Sequence, residues 1–296
     1  MDLRALRYFV ELIRQQSFTR AADRLCVTQP TISKMIRALE EEAGQPLLLR
    51  QGHRFALTDA GQIVYQHALH MLDQLQQMQA GLADLQALQR GRLALGVPPL
   101  VGPVVADLLS RYRRRWPAVE LHIVEYGGLL TEQALLEGQL DLAINMMPGP
   151  NSELLASHEL DSHLIQAVLP DTARWRAMPQ VNLADLREEP LLLFSEDFLL
   201  SGRLEQACRD AGFTPQVAAR SSQWDFLMAM VRSGMGVAFM PAPIGRRLSL
   251  EGLLLRPLLP AIEWRLGLLW PKARYLSRPA EAWLQLCREM SSHHSV

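Results

Sequence analysis

The sequence predicts an α+β multidomain chain: a small helical unit followed by a β-hairpin, one long helix, and a larger module in which strands and helices alternate. Three observations carry that reading. Between Thr19 and Gly44 the run TRAADRLCVTQPTISKMIRALEEEAG divides into two short amphipathic helices joined by about three residues. From Val64 to Leu85 apolar residues return at spacings of 4, 3, 4, 3, 4 and 3. Beyond Gly91 short β-type runs alternate with helical stretches. A chain of 296 residues, 49% hydrophobic and 21% charged, has ample material for separate cores in each part.

In the first unit, Ser17 and Thr28 stand where N-caps belong and Gly44 where a left-handed residue closes a helix. Ala21, Ala22 and Leu25 face inward from the first helix of the pair, and Ile32, Met35, Ile36 and Leu39 from the second. Cys26 takes the turn position after Leu25, a place that suits glycine. The outward side of the second helix carries Thr31, Ser33, Lys34 and Arg37, the hydroxyls and cations that reach phosphate oxygens and base acceptors in a major groove. Pro30 costs nothing in a first turn whose amides lack partners anyway. Further on, two apolar strands flank Gln51-Gly52-His53, with Arg50 and Arg54 on either side, so a hairpin wing is expected to bring its tip to a phosphate or a minor groove. The whole chain is nearly neutral, with 30 basic and 31 acidic residues, but residues 1–58 hold nine Lys/Arg against six acids. Attraction to a polyanion depends on where charge sits, and here it sits at the amino end.

With LRYFVELIRQQSFTRAADRL, VTQPTISKMIRALEEEAGQPLLLR and LTDAGQ in view, residues 1–90 resemble the DNA-binding region of the LysR-type transcriptional regulators. The resemblance implies a winged helix-turn-helix over 1–58, with Gln29, Pro30, Thr31, Ser33, Lys34 and Arg37 on the DNA face and Thr19 and Arg50 on phosphates. Arg20, Thr28, His53 and Arg54 complete the expected contact set.

Residues 59–90 read as a linker helix capped by Thr58. A seam as regular as Val64, Ala68, Met71, Leu75, Met78, Leu82 and Leu85 is expected to bury itself against the same helix of a second subunit. The family resemblance implies antiparallel pairing and commonly a dimer of dimers, so a homodimer or homotetramer on a partly palindromic site.

Residues 91–296 read as α/β units around a largely parallel sheet. Strands are expected at LALGV, VELHIVEY, LDLAINM, LIQAVL, LLLF, QVAAR, GVAFM and WRLGLLW, and helices near 102–115, 131–138, 202–211, 224–233 and 278–290. This part resembles the family's effector-binding domain, a two-lobed α/β fold like that of periplasmic solute-binding proteins. It implies lobe one at 92–161 and 267–296, lobe two at 162–266, and a ligand in the cleft, where strand ends and helix N-termini meet. The expected effector contacts are Pro99, Leu100, Val101, Gly127, Gly128, Asn145 and Met146 from the first lobe. Phe194, Ser195, Ser201, Ser222, Trp224 and Pro241 are expected from the second. Leu100, Gly128 and Met146 make one wall apolar and leave an anion to backbone amides and Ser201 or Ser222, which suits a small organic, acidic metabolite. The VPPLVG opening resembles family members linked to carbon-overflow metabolites.

Enzyme chemistry finds little support. No GxSxG, HExxH, GxxxxGK[ST] or GxGxxG occurs. Asp161, Ser162 and His163 are strand neighbours that point to opposite faces, and Glu196-Asp197 reads as a solvated loop. Three widely spaced cysteines, Cys26, Cys208 and Cys287, form no CxxC pair and are expected as buried thiols in a reducing cytoplasm. The amino end, MDLRALRYFVELIRQQ, has charges within its apolar run and reads as a helix, not a signal peptide. The expected partners are double-stranded promoter DNA, a small-molecule effector, further copies of the chain and RNA polymerase; no cofactor, metal or membrane is expected.

Overall fold

The computed structural model describes residues 2–51, 54–85, 91–246 and 249–291. The chain forms two compact units, residues 1–87 and 88–296. The first opens with three helices, α1 (Leu3–Gln15), α2 (Phe18–Arg24) and α3 (Gln29–Ala43), followed by a hairpin of β1 (Leu48–Gln51) and β2 (Arg54–Leu57) and by the long helix α4 (Asp59–Leu85). Phe9, Leu12, Ile32 and Leu39 are sealed in its core, and the methyl-sized Ala21 and Ala22, also buried, let α2 lie close against α3.

The caps are partly as the pattern implies. Ser17 Oγ accepts from the Arg20 amide at 3.4 Å, and Gly44 ends α3 at φ 71°. Thr28 departs from expectation: its hydroxyl caps no amide and pairs instead with Thr31 Oγ1 at 2.8 Å. Cys26 does adopt the left-handed turn, at φ 55°, a conformation that costs a non-glycine residue about 1 kcal/mol. Glu40 is drawn out of the acidic run: its Oε1 accepts from the amides of Leu47 and Leu48 and ties the wing to α3. Thr58 Oγ1 accepts from the Gly61 amide at 2.9 Å and donates to the Pro46 carbonyl at 2.8 Å. A Cβ on Gly61 would stand 2.1 Å from the Leu47 carbonyl oxygen, so only glycine lets α4 start this close to the wing.

The second unit begins with β3 (Gly91–Gly96), a 3-10 turn at Pro99–Val101, α5 (Gly102–Arg115), β4 (Val119–Val124), α6 (Gly128–Leu136) and β5 (Leu142–Met147). Next come β6 (Leu155–Pro170), α7 (Ala173–Arg176), β7 (Val181–Asn182), β8 (Pro190–Phe194), α8 (Leu199–Asp210) and β9 (Gln216–Ser221). The unit closes with α9 (Trp224–Arg232), β10 (Ala238–Pro241), α10 (Ala242–Gly245), β11 (Leu253–Leu259), β12 (Glu263–Pro271) and α11 (Arg278–Ser291).

The sheet is less parallel than the sequence suggests. One curled sheet runs β4-β3-β5-β12-β6-β11-β7, with β10 also on β6, and β8 pairs with β9 beside it. Pairing is parallel at β4-β3-β5, at β11-β7 and at β8-β9, but antiparallel wherever β6 or β12 takes part. These two strands carry the chain between lobes. β6 pairs with β12 from Leu155 to Leu164, then with β10 and β11 from Ile165 to Pro170. The polar stretch Ser157–His163, of which the sequence reading had only Asp161–His163 as strand neighbours, is therefore strand throughout, and so is LLLRPLL around Pro257, which the sequence reading did not find. The five longer helices lie where expected, α6 and α8 starting three residues earlier than the sequence reading put them.

Candidate nucleic-acid interface and ligand cleft

Ile32, Ile36 and Leu39 hold one side of α3 in the core, and the 3.6-residue period turns Thr28, Gln29, Pro30, Thr31, Lys34 and Arg37 outward, all exposed, with Ser33 half-buried. Gln29 Nε2 donates to Ser33 Oγ at 3.0 Å, which with the Thr28–Thr31 pair orders the polar first turn. Lys34 and Arg37 have no hydrogen-bond or ion-pair partner among the described residues. Thr19 and Arg20 are exposed on α2. The backbone of Arg50 and Arg54 lies in β1 and β2; their side chains, and the whole of His53, lie outside the described residues. Cations without internal partners meet phosphate without first giving up a contact, and the gain is the release of counterions from DNA.

The α4 seam divides. Ala68 is fully buried in the core of its own unit, which corrects its assignment to a subunit contact, and Val64 packs beside it half-buried. α1 lies against this half of α4 and covers it. Past it, Met71, Met78 and Leu82 are about half exposed and Leu75 is half-buried; the side chain of Leu85 lies outside the described residues.

In the second unit a cleft is lined by Pro98, Leu100, Val101, Gly128, Asn145 and Met146 on one side and by Phe198, Leu199, Leu200, Trp264 and Leu266 on the other. Its cavity measures about 20 Å³, little more than one water needs. The remaining expected contacts do not line it. Pro99 sits half-buried in the 3-10 turn, and Gly127 is buried against Asp197. Phe194 is buried and stacked on Phe198 at 4.9 Å, Ser195 is half-buried, and Ser222 is exposed. Trp224 packs on the core and Pro241 pairs with Ile165 in the sheet.

Polar groups here are already committed. Ser201 is buried and donates to the Phe194 carbonyl at 2.8 Å, so it offers a ligand nothing in this state. Asn145 donates through Nδ2 to the Gly128 carbonyl at 3.0 Å and accepts from the Met146 amide at 2.8 Å, fixing the first turn of α6 to β5. Behind it the buried Glu132 accepts from the backbone and side chain of Asn151.

Two contacts from the far side were invisible in the sequence. The Gly127 amide donates to Asp197 Oδ2 at 3.0 Å and the Leu129 amide to the Asp197 carbonyl at 2.9 Å. Arg203 Nη2 donates to the carbonyls of Met147 at 2.6 Å and Pro148 at 3.0 Å. Asp197 is thus no solvated loop acid, although its neighbour Glu196, its side chain 86% exposed, is one. Trp264 too was missed as a lining residue; its place in a strand between lobes was the available signal.

Asp161 and His163, two apart on β6, share a face and bond at 2.7 Å, with the His163 ring stacked on Trp264; Ser162 between them is exposed. Burial pushes the Cys208 thiol up to about 11 and Cys287 to about 12, whereas Cys26, expected to be buried, is exposed. Thiols held that far above neutral pH carry little reactive thiolate. Among the described residues no group of three or more His, Cys, Asp or Glu is placed to hold a metal, and no helix is long and apolar enough to cross a membrane.

A winged helix-turn-helix with free cations, a long helix and a two-lobed α/β unit with a cleft together define a DNA-binding regulator that carries its own ligand domain. Residues 3–62 match the bacterial regulatory helix-turn-helix protein, lysR family, and residues 86–292 match the LysR substrate binding domain. The chain belongs to the LysR family of transcriptional regulators. It is 36% identical over 287 residues to an uncharacterised HTH-type transcriptional regulator, YwbI, of Bacillus subtilis, covering 96% of this chain and 95% of the relative. It is 29% identical over 257 residues to the HTH-type transcriptional regulator AlsR of the same organism, covering 85% and 84%. Among solved structures, a full-length OxyR variant from Pseudomonas aeruginosa superposes with a TM-score of 0.68 at 27% identity, over 97% of this chain and 98% of that one. Members of this family bind DNA through the helix-turn-helix and small molecules through the substrate-binding domain.

Proposed function

We propose that this regulator binds a partly palindromic promoter site as a dimer of dimers and responds to a small organic acid taken into its cleft. The observation that carries the DNA reading is the outward face of α3, where Lys34 and Arg37 stand without partners among the described residues on a chain of net charge −1. Gln29, Thr31 and Ser33 supply donors and acceptors for base edges beside them, and Thr19 and Arg20 supply phosphate contacts.

The exposed Met71, Met78 and Leu82, with Leu75 among them, support subunit pairing through the carboxyl half of α4. We assign residues 1–58 to DNA binding, 59–90 to the linker and 91–296 to effector binding. Within the last, lobe one takes 92–161 and 267–296 and lobe two takes 162–266. The register slip between Leu266 and Gly267, opposite Asp161, supports a hinge at that level. The apolar walls of Leu100, Met146 and Leu199 favour an effector with an apolar body, its acidic group left to backbone amides. The regulator is assigned to the cytoplasm, with RNA polymerase as the partner through which occupancy is read out.

Arg37→Ala should weaken binding to the promoter without lowering the melting temperature or the affinity for a cleft ligand. Fluorescence anisotropy on a promoter fragment at physiological salt, with random competitor DNA, checks this. Unchanged affinity would remove α3 from the interface, and equal affinity for random DNA would favour a nucleoid-type coat protein over a promoter-specific regulator.

A further inference from the structure

We infer that Asp197 and Arg203 form a latch that holds the two lobes of the C-terminal unit shut, so that a ligand reaches the cleft only after these contacts part. The inference rests on the reading of the cleft as the ligand site.

Both contacts run from the 162–266 side to bare backbone on the other side. The Asp197 carboxylate takes the Gly127 amide at 3.0 Å, just ahead of α6, and its carbonyl takes the Leu129 amide at 2.9 Å. An acid suits the start of a helix, where unpaired N–H groups and the dipole are positive. Arg203, one turn into α8, places its guanidinium on the carbonyls of Met147 and Pro148 at the end of β5. Burial, then the nearby Arg265, lowers its pKa from the ordinary arginine value, so this contact stands against a desolvation cost. Between the two contacts Phe198, Leu199 and Leu200 close the cleft to about 20 Å³.

Gly127 is what fits the latch to this chain. Its φ of −64° is open to any residue, so backbone conformation does not call for glycine. A Cβ there, however, would lie 2.1 Å from Asp197 Oδ2 and 2.4 Å from its Cγ. The missing side chain is the space the carboxylate occupies. Neighbouring Glu196 stays in solvent, so acidity in this loop alone does not make the contact.

The test is hydrogen–deuterium exchange on the full-length chain without ligand, following the peptide that carries Gly127. Asp197→Ala should speed its exchange about ten-fold, as loss of a hydrogen bond to a charged acceptor implies. Gly127→Ala, which keeps the carboxylate and only fills its space, should do the same, and Glu196→Ala should do nothing. Wild-type exchange in both Asp197→Ala and Gly127→Ala, with native circular dichroism, overturns the latch. A thermal shift with benzoate separates this from the acidic-effector reading. A larger shift in Asp197→Ala than in wild type supports gating, and a measurable shift of equal size in both overturns it. Faster exchange with no benzoate shift in either form keeps the latch and counts against that effector class alone.

Discussion

The outward face of α3 and the largely apolar cleft of the second unit each have polar side chains on or beside them, yet they spend them differently. On α3 the cations Lys34 and Arg37 have no partner within the described residues, and the side chains of Thr28, Gln29, Thr31 and Ser33 bond within the helix's own first turns. In the cleft Asn145, and beside it Ser201 and Asp197, are all bonded to backbone. The first surface is ready to meet a ligand as it stands; the second must break contacts to admit one. A face that meets a large, hydrated polyanion works from the surface, where an unpaired cation remains solvated and costs little. A buried polar atom left unpaired costs about 1–3 kcal/mol, so a closed cleft satisfies its own groups.

The largest test of this contrast is Lys34→Ala combined with Arg37→Ala. Promoter affinity should fall about 100-fold or more, with denaturation midpoints within about 0.5 kcal/mol of wild type. A large loss of stability would mean that the face is structural. Next comes the helix that presents it. Leu75→Asp with Leu82→Asp should lower the mass seen by light scattering, because charge on the exposed half of α4 disrupts a pairing seam while the half held by Ala68 keeps its own core. An unchanged mass would place the subunit contact elsewhere.

Smaller effects probe the cleft and the turn. Ser201→Ala leaves the Phe194 carbonyl only the longer bond from Arg220 at 3.3 Å and should destabilise the C-terminal unit by about 1 kcal/mol in urea, leaving DNA affinity as it was. A neutral result would return Ser201 to the pool of free ligand donors. Cys26→Gly should stabilise the first unit by up to about 1 kcal/mol, since glycine holds a left-handed φ without strain. A lower melting temperature would show that the thiol packs usefully where it is.

The legible parts of this protein share one feature: their signal lies within a few residues. Ile32, Ile36 and Leu39 against Lys34 and Arg37 reveal both the helix and its free face, because one periodicity governs burial and exposure together. The seam on α4 was read at the right spacing but given to one partner, because spacing shows that a stripe is covered and not by what. Val64 and Ala68 meet their own core; Met71, Met78 and Leu82 remain outside it. The sheet was read as largely parallel because direction is not written in a strand's own residues: WRLGLLW and LIQAVL read as strands, but only pairing shows that β12 and β6 run antiparallel to their neighbours. Ser157–His163 has no apolar run and becomes strand through β12.

By itself the sequence determined the helix-turn-helix, its cationic face, the strand–helix rhythm of the second unit and the family, all written in local pattern and motif. Only the tertiary structure decided that Ser201 is spent on Phe194, that Ala68 is internal, and that Asp197 and not Glu196 reaches Gly127. The reason is physical. Periodicity needs one element, but the fate of a polar group depends on which backbone, 70 positions away in the case of Asp197, folds to within 3.0 Å of it.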